Sequence, residues 1–205
     1  MSWPALRRAG VTVVATVVAT AGLVLVPAPG AANAAVETFH RFEVNAVANY
    51  TVAQDCGDGR TALLRVQVIG GHEEETRDGV RTLDQDFVNV LIRGTDCAGV
   101  VRNDRGAGPA TFDVSPALRD ASLAGTVVTG TGRTVTVDLA WTGVGDLVID
   151  HRVTQRPGFV GLFENTRRDA TATGTVVVDG GTLVDGTTDN AELETLEDRN
   201  VSYPA

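Results

Sequence analysis

From Phe42 the chain alternates. Phe42, Val44, Ala46, Ala48, Tyr50 and Val52 are apolar, Glu43, Asn45, Asn49 and Thr51 lie between them, and only Val47 breaks the rule. A period of two over this length predicts a long β-strand with one face buried. The alternation returns at Leu64, Val66 and Val68 before Gly70-Gly71, and at Val88, Val90 and Ile92 before Gly94. It returns again at Val135, Val137, Leu139 and Trp141, at Leu147, Ile149 and Val153, and at Ala170, Ala172, Gly174, Val176 and Val178. Glycine, asparagine and aspartate bound each run as turn signals. The small residues of the last run predict that Trp141 packs its ring over Ala172 or Gly174.

Helix signals are few. Ser115-Pro116 offers an N-cap followed by proline at the first helical position, opening a turn through Leu118. Residues 190–197 carry Leu193 and Leu196 three apart, with acids in the first turn. They read either as a short helix or as part of a loose acidic segment from about 185, ending in a small edge strand at 201–203. About eight to ten strands with short connections predict an all-β fold. The expected architecture is an antiparallel, jelly-roll-like β-sandwich, with a partly open β-barrel as the alternative.

The N-terminus has a different pattern. Arg7 and Arg8 precede an uncharged apolar run over 11–26, followed by Pro27, Pro29 and the small-residue tripeptide Ala32-Asn33-Ala34. That is the layout of a secretory signal peptide cleaved after Ala34. The apolar run is shorter than the roughly 20 residues that span a bilayer, so no membrane insertion is expected after cleavage. The reading divides the chain into a leader, 1–34, and a single secreted β-domain, 35–205. Of 17 basic residues, all arginine, the leader removes two and no acid, which leaves 15 against 26 acids and a net charge near -11. A chain this acidic repels phosphate backbones, so nucleic acid is excluded as a partner.

Export also decides how the cysteines read. Cys56 and Cys97 are the two thiols, each just after a predicted strand at the mouth of a turn, and an oxidising compartment makes them one intramolecular disulfide. Neither has the CxxC spacing or the nearby histidine of a reactive or metal-binding thiol.

Trp141-Thr142-Gly143 followed by Gly145, Arg168-Asp169-Ala170 with Ala172 and Gly174, and the turn Asp96-Cys97-Ala98-Gly99 resemble exported β-rich proteins of GC-rich Gram-positive bacteria of the actinobacterial kind. The resemblance spans roughly residues 40–180. It implies export and a β fold, and carries over no activity, catalytic residue or ligand.

Catalytic signatures are absent from the sequence. Ser115, Ser122 and Ser202 lie outside any Gly-x-Ser-x-Gly turn, and His40, His72 and His151 have no metal-ligand spacing. His151 shares strand parity with Ile149 and Val153, which places it at the rim of the core or, with Asp150, Arg152 and Arg168, around a small pocket. Asp138 and Asp150 have the parity of solvated positions. Few aromatics remain for a sugar platform, and Phe159 and Phe163 read as a plug at one end of the fold. The acidic stretches 72–75 and 185–190 read as solvated loops and do not fit a twelve-residue calcium loop. The expectation is an exported binding or structural module that acts without catalysis or cofactor, its partner a cell-wall glycan or another extracellular protein. The alternatives are a secreted, glycan-active hydrolase using strand carboxylates and a partner in intermolecular strand pairing.

Overall fold

The alternating segments pair edge to edge into one antiparallel sheet. The computed structural model describes residues 35–203 except Asp58. The expected leader therefore lies outside the described residues. Nine strands follow in order: β1 (Glu37–Asp55), β2 (Thr61–Arg77), β3 (Val80–Thr95), β4 (Val101–Val114), β5 (Asp120–Val128), β6 (Thr134–Gly143), β7 (Val148–Arg156), β8 (Phe159–Val178) and β9 (Gly181–Ser202). Each of β1 to β5 pairs with the next, β9 joins β1 to β8, β8 pairs with β7, and β6 pairs with β8 past β7. The sheet closes through that last pairing. Its eight-stranded ring is the barrel alternative and not two stacked sheets, with β7 as a ninth strand outside it.

The predicted apolar faces line the barrel. Val66, Val68, Val88, Ile92, Leu139 and Trp141 are all fully buried, together with Leu123 of β5 and Leu193 of β9. Trp141 stands opposite Ala172 across the β6–β8 pair and donates its indole Nε1–H to the Val47 carbonyl at 2.9 Å. Side chains fill the barrel axis, as expected for eight strands.

The two ends of the barrel differ. At one end lie the turns between β1 and β2, β3 and β4, β5 and β6, and β8 and β9. Here Cys56 and Cys97 are bonded, with Cα atoms 5.1 Å apart. At the other end β1, β2, β3, β8 and β9 run on beyond the ring. The β3–β4 pairing stops at Phe87 and Pro109, and β5 stops at Asp120 opposite Thr142 of β6. Past these points a six-stranded skirt, β3-β2-β1-β9-β8-β7, flares open with free edges on β3 and β7.

Several expectations change. Residues 190–197 form neither a helix nor a loose tail but the middle of β9, a 22-residue strand that pairs with β8 along its length and with β1 from Ala191 on. Their Ala, Leu and Glu content favours helix, but strands on both sides pair with every residue from Ala191 to Glu197, and Ala191 and Leu193 bury inward. β2 continues through Gly70-Gly71 to Arg77, so 72–75 are strand residues, as are 185–190 in β9. Glu73, Glu74 and Glu75 each meet an arginine: Arg41, Arg81 and Arg77. Phe159 and Phe163 belong to β8 and do not plug the barrel; Phe163 is exposed, and Phe159 lies under the Arg156 guanidinium at 4.8 Å. A 3-10 turn does occupy Pro116–Leu118, but Ser115 Oγ accepts from Asp120 N instead of capping it. Among the described residues no helix is long and apolar enough to cross a membrane, and the disulfide is compatible with an extracellular protein.

Candidate functional site

Two glycines at the waist between barrel and skirt shape the outer surface. A Cβ on Gly70 would stand 2.6 Å from Leu123, which presses on β2 from inside the barrel. On the opposite face a Cβ on Gly71 would stand 2.7 Å from Asn45 Oδ1 and 2.8 Å from Phe87 Cζ. Only hydrogen at both positions lets the core close from within while Asn45 and Phe87 lean over β2 from without. The result is a groove of about 720 Å³ on the outer face, lined by β1, β2, β3, β4 and Glu194 of β9.

Register explains its contents. Glu194, Asn45, Gly71, Phe87 and Pro109 form one cross-strand row. In the next row Glu43 lies opposite Glu73, and Arg41 Nη2 bridges the two carboxylates at 3.0 and 2.7 Å. Val47, Ile69, Phe87 and Pro109 supply apolar walls at positions whose parity faces away from the barrel.

Asn45 is the centre of the site. It is only 5% exposed, and its Nδ2 donates to Glu43 Oε1 at 2.8 Å and to Glu194 Oε1 at 3.4 Å. Those carboxylates accept and cannot donate, which fixes the amide with its NH₂ toward them. Its Oδ1 is left buried without a hydrogen-bond partner. An orphaned acceptor of this kind costs about 1–3 kcal/mol unless something donates to it. Burial pushes the Glu194 carboxyl above its ordinary value, opposed by the Asn45 hydrogen bond and reinforced by the neighbouring Glu192 and Glu43 charges. The groove therefore sets acceptors, two of them bridged by Arg41, opposite hydrocarbon.

Of the pocket candidates His151, Asp150, Arg152 and Arg168, none lines it, while Glu73 of the acidic stretch 72–75 does. Asp150, His151 and Arg152 lie on β7, which is exposed at every position, so His151 is not at the rim of the core. Its parity is that of the barrel-facing residues, but no core lies beneath the skirt. Arg168 sits four residues from Glu164, the register partner of His151, and donates Nη1 to the Ala117 carbonyl at 3.2 Å. The four thus form no common pocket. Asp138 and Asp150 are exposed, as their parity predicts.

The three histidines are less scattered than their spacing implies. Strand alternation puts all of them on the inner face of the skirt, His40 on Glu197 at 2.8 Å, His72 on Asp86 at 2.8 Å and His151 across from Glu164. Among the described residues no group of three or more His, Cys, Asp or Glu side chains could hold a metal ion. The chain matches no protein-family model, no curated protein and no solved structure.

Sequence reasoning missed Asn45, Glu43 and Glu194. The available signal was Val47, the one break in the β1 alternation, together with Ile69 and Phe87, apolar residues at wet parity.

Proposed function

We propose that the chain is an exported binding module that acts without catalysis, and that the waist groove holds a cationic, N–H-donating side chain of another extracellular protein. The observation that carries this reading is the buried, unpartnered Asn45 Oδ1 beside Glu43 and Glu194. An ammonium or guanidinium group donates to all three, and its aliphatic stem fits against Val47, Ile69 and Phe87. Arg41 already pairs with Glu43 and Glu73; a neutral cell-wall glycan would donate to Asn45 but bring no charge to Glu194, so it fits less well. The filled barrel interior supports an outer site over an inner one.

Titration with Nα-acetyl-lysine amide, Nα-acetyl-arginine amide and a neutral chitooligosaccharide, followed through the Asn45 side-chain amide resonances, tests the reading. Either cation is expected to shift them, with affinity falling in salt. The sign of the pH dependence follows from Glu194: below its raised pKa it is neutral, so cation affinity rises as pH climbs through that value. Glu194→Gln should flatten that profile. A response to the oligosaccharide alone would replace the cation with a glycan. A second reading, hydrolysis, is favoured by burial raising the Glu194 carboxyl above its ordinary value beside Glu43; it predicts glycan cleavage by the wild-type protein that Glu194→Gln abolishes.

A further inference from the structure

β7 is the anomaly of the fold. It pairs with β8 on one side, and among the described residues no strand covers its other side. β6 and β7 lie end to end along β8, and the free edge begins where β5 stops covering β6. All nine of its residues are exposed, including Ile149 at 54% and Val153 at 68%. An open edge bearing exposed aliphatic side chains is a template for a further strand. The skirt's other free edge, on β3, is defended: a register shift at Glu75/Thr76 disturbs its pairing, and Arg81 is held by Glu74 and Asp84 across the strand that would be presented.

The side chains of β7 complement themselves. Two copies pairing antiparallel about a two-fold axis must centre on a residue, because opposite residues share a face of the sheet. With the axis at His151, Asp150 of each copy faces Arg152 of the other, Ile149 faces Val153, and Val148 faces Thr154. Centring on Arg152 or Asp150 would instead place that charge against itself. Neither the Asp150 nor the Arg152 side chain has an ion-pair or hydrogen-bond partner among the described residues, so both are available. We propose that the chain forms a two-fold homodimer by antiparallel pairing of β7 with β7 of a second copy, in the register centred on His151.

The interface is small, one strand and its flanking side chains, so the dimer dissociates on dilution through the micromolar range. Sedimentation velocity over a concentration series reads it directly. Asp150→Arg and Arg152→Asp each put like charges opposite one another twice across the axis, and each should raise the dimer dissociation constant about tenfold or more. The double variant Asp150→Arg/Arg152→Asp restores both pairs and should restore the dimer. Both positions are exposed, and an unchanged melting temperature in every variant will show that folding is not the cause. A wild-type monomer at all concentrations overturns the proposal. So do single variants that dimerise like wild type, or a double variant that stays as weak as the singles.

Discussion

The turn end and the skirt use charged side chains differently. At the turn end carboxylates hold the main chain and one another's strands. Asp96 Oδ1 accepts from Ala98 N and Val100 N, and its Oδ2 pairs with Arg102. Asp104, 2% exposed, accepts from Thr131 Oγ1 at 2.6 Å and meets Arg133, which donates Nε to Asp179. That chain of groups joins β4 to the β5–β6 and β8–β9 turns, and the disulfide joins the other two. At the skirt the charges stand in pairs on half-exposed strand faces: Arg81 with Asp84, Arg77 with Glu75, Arg199 with Glu197. Such pairs lie in high dielectric and contribute little stability. One end is stitched, and the other is presented.

Cutting the covalent stitch should have the largest effect. In the chain-entropy model the 41-residue separation of Cys56 and Cys97 is worth about 4 kcal/mol. The Cys56→Ala/Cys97→Ala variant is expected to lose that much in urea unfolding, with faster amide exchange at the turn end before the skirt. Equal exchange at both ends would abolish the contrast. Asp104→Ala comes next. It strips Thr131 and Arg133 of a buried acceptor and should cost about 2 kcal/mol in the same measurement.

Acid should act on the stitching through its direction of titration. Hydrogen bonds from Val100 N, Arg102 and Ala98 N hold Asp96 below the ordinary aspartate value against the opposing effect of burial, and Arg133 with Thr134 N does the same for Asp179. A carboxyl whose folded pKa is depressed contributes stability above its unfolded pKa and loses it as pH falls through the folded value. The stability of the wild type is therefore expected to hold above the usual aspartate range and decline below it. In Asp96→Asn/Asp179→Asn that part of the decline should be missing when melting temperature is followed against pH.

The strands of the barrel were legible because a packed core enforces alternation on one face. Val135 to Trp141 and Ala170 to Val178 could be read as core strands, and the Trp141–Ala172 match came with them. Two cysteines, each at the mouth of a turn, left one disulfide to form. β7 shows the limit of the same signal. Its alternation of Ile149, His151 and Val153 reports pairing with β8, not what lies beneath, because the ring has already closed above it. Local composition misreads β9 for the opposite reason, since its neighbour β1 comes from distant sequence and β8 meets residues 191–197 only far along a long hairpin. Closure as a barrel depends on β6 finding β8 across β7, a non-local choice that turn signals do not encode. Asn45 is buried only because Gly71 and Phe87 on other strands make room for it, so the groove had no contiguous motif.

The smallest effect is expected from the skirt. Arg81 bridges Glu74 and Asp84 on half-exposed ground, so Arg81→Ala should change unfolding free energy by less than about 0.5 kcal/mol. A loss comparable to that of Asp104→Ala would mean that the skirt is held by its ion pairs. The role left to Arg81 is at the edge, where a charge tied across β3 keeps foreign strands from adding to it. The same variant should therefore fold normally yet show concentration-dependent light scattering beyond any two-fold pairing through β7, because two usable edges allow open-ended growth where one allows only a closed pair.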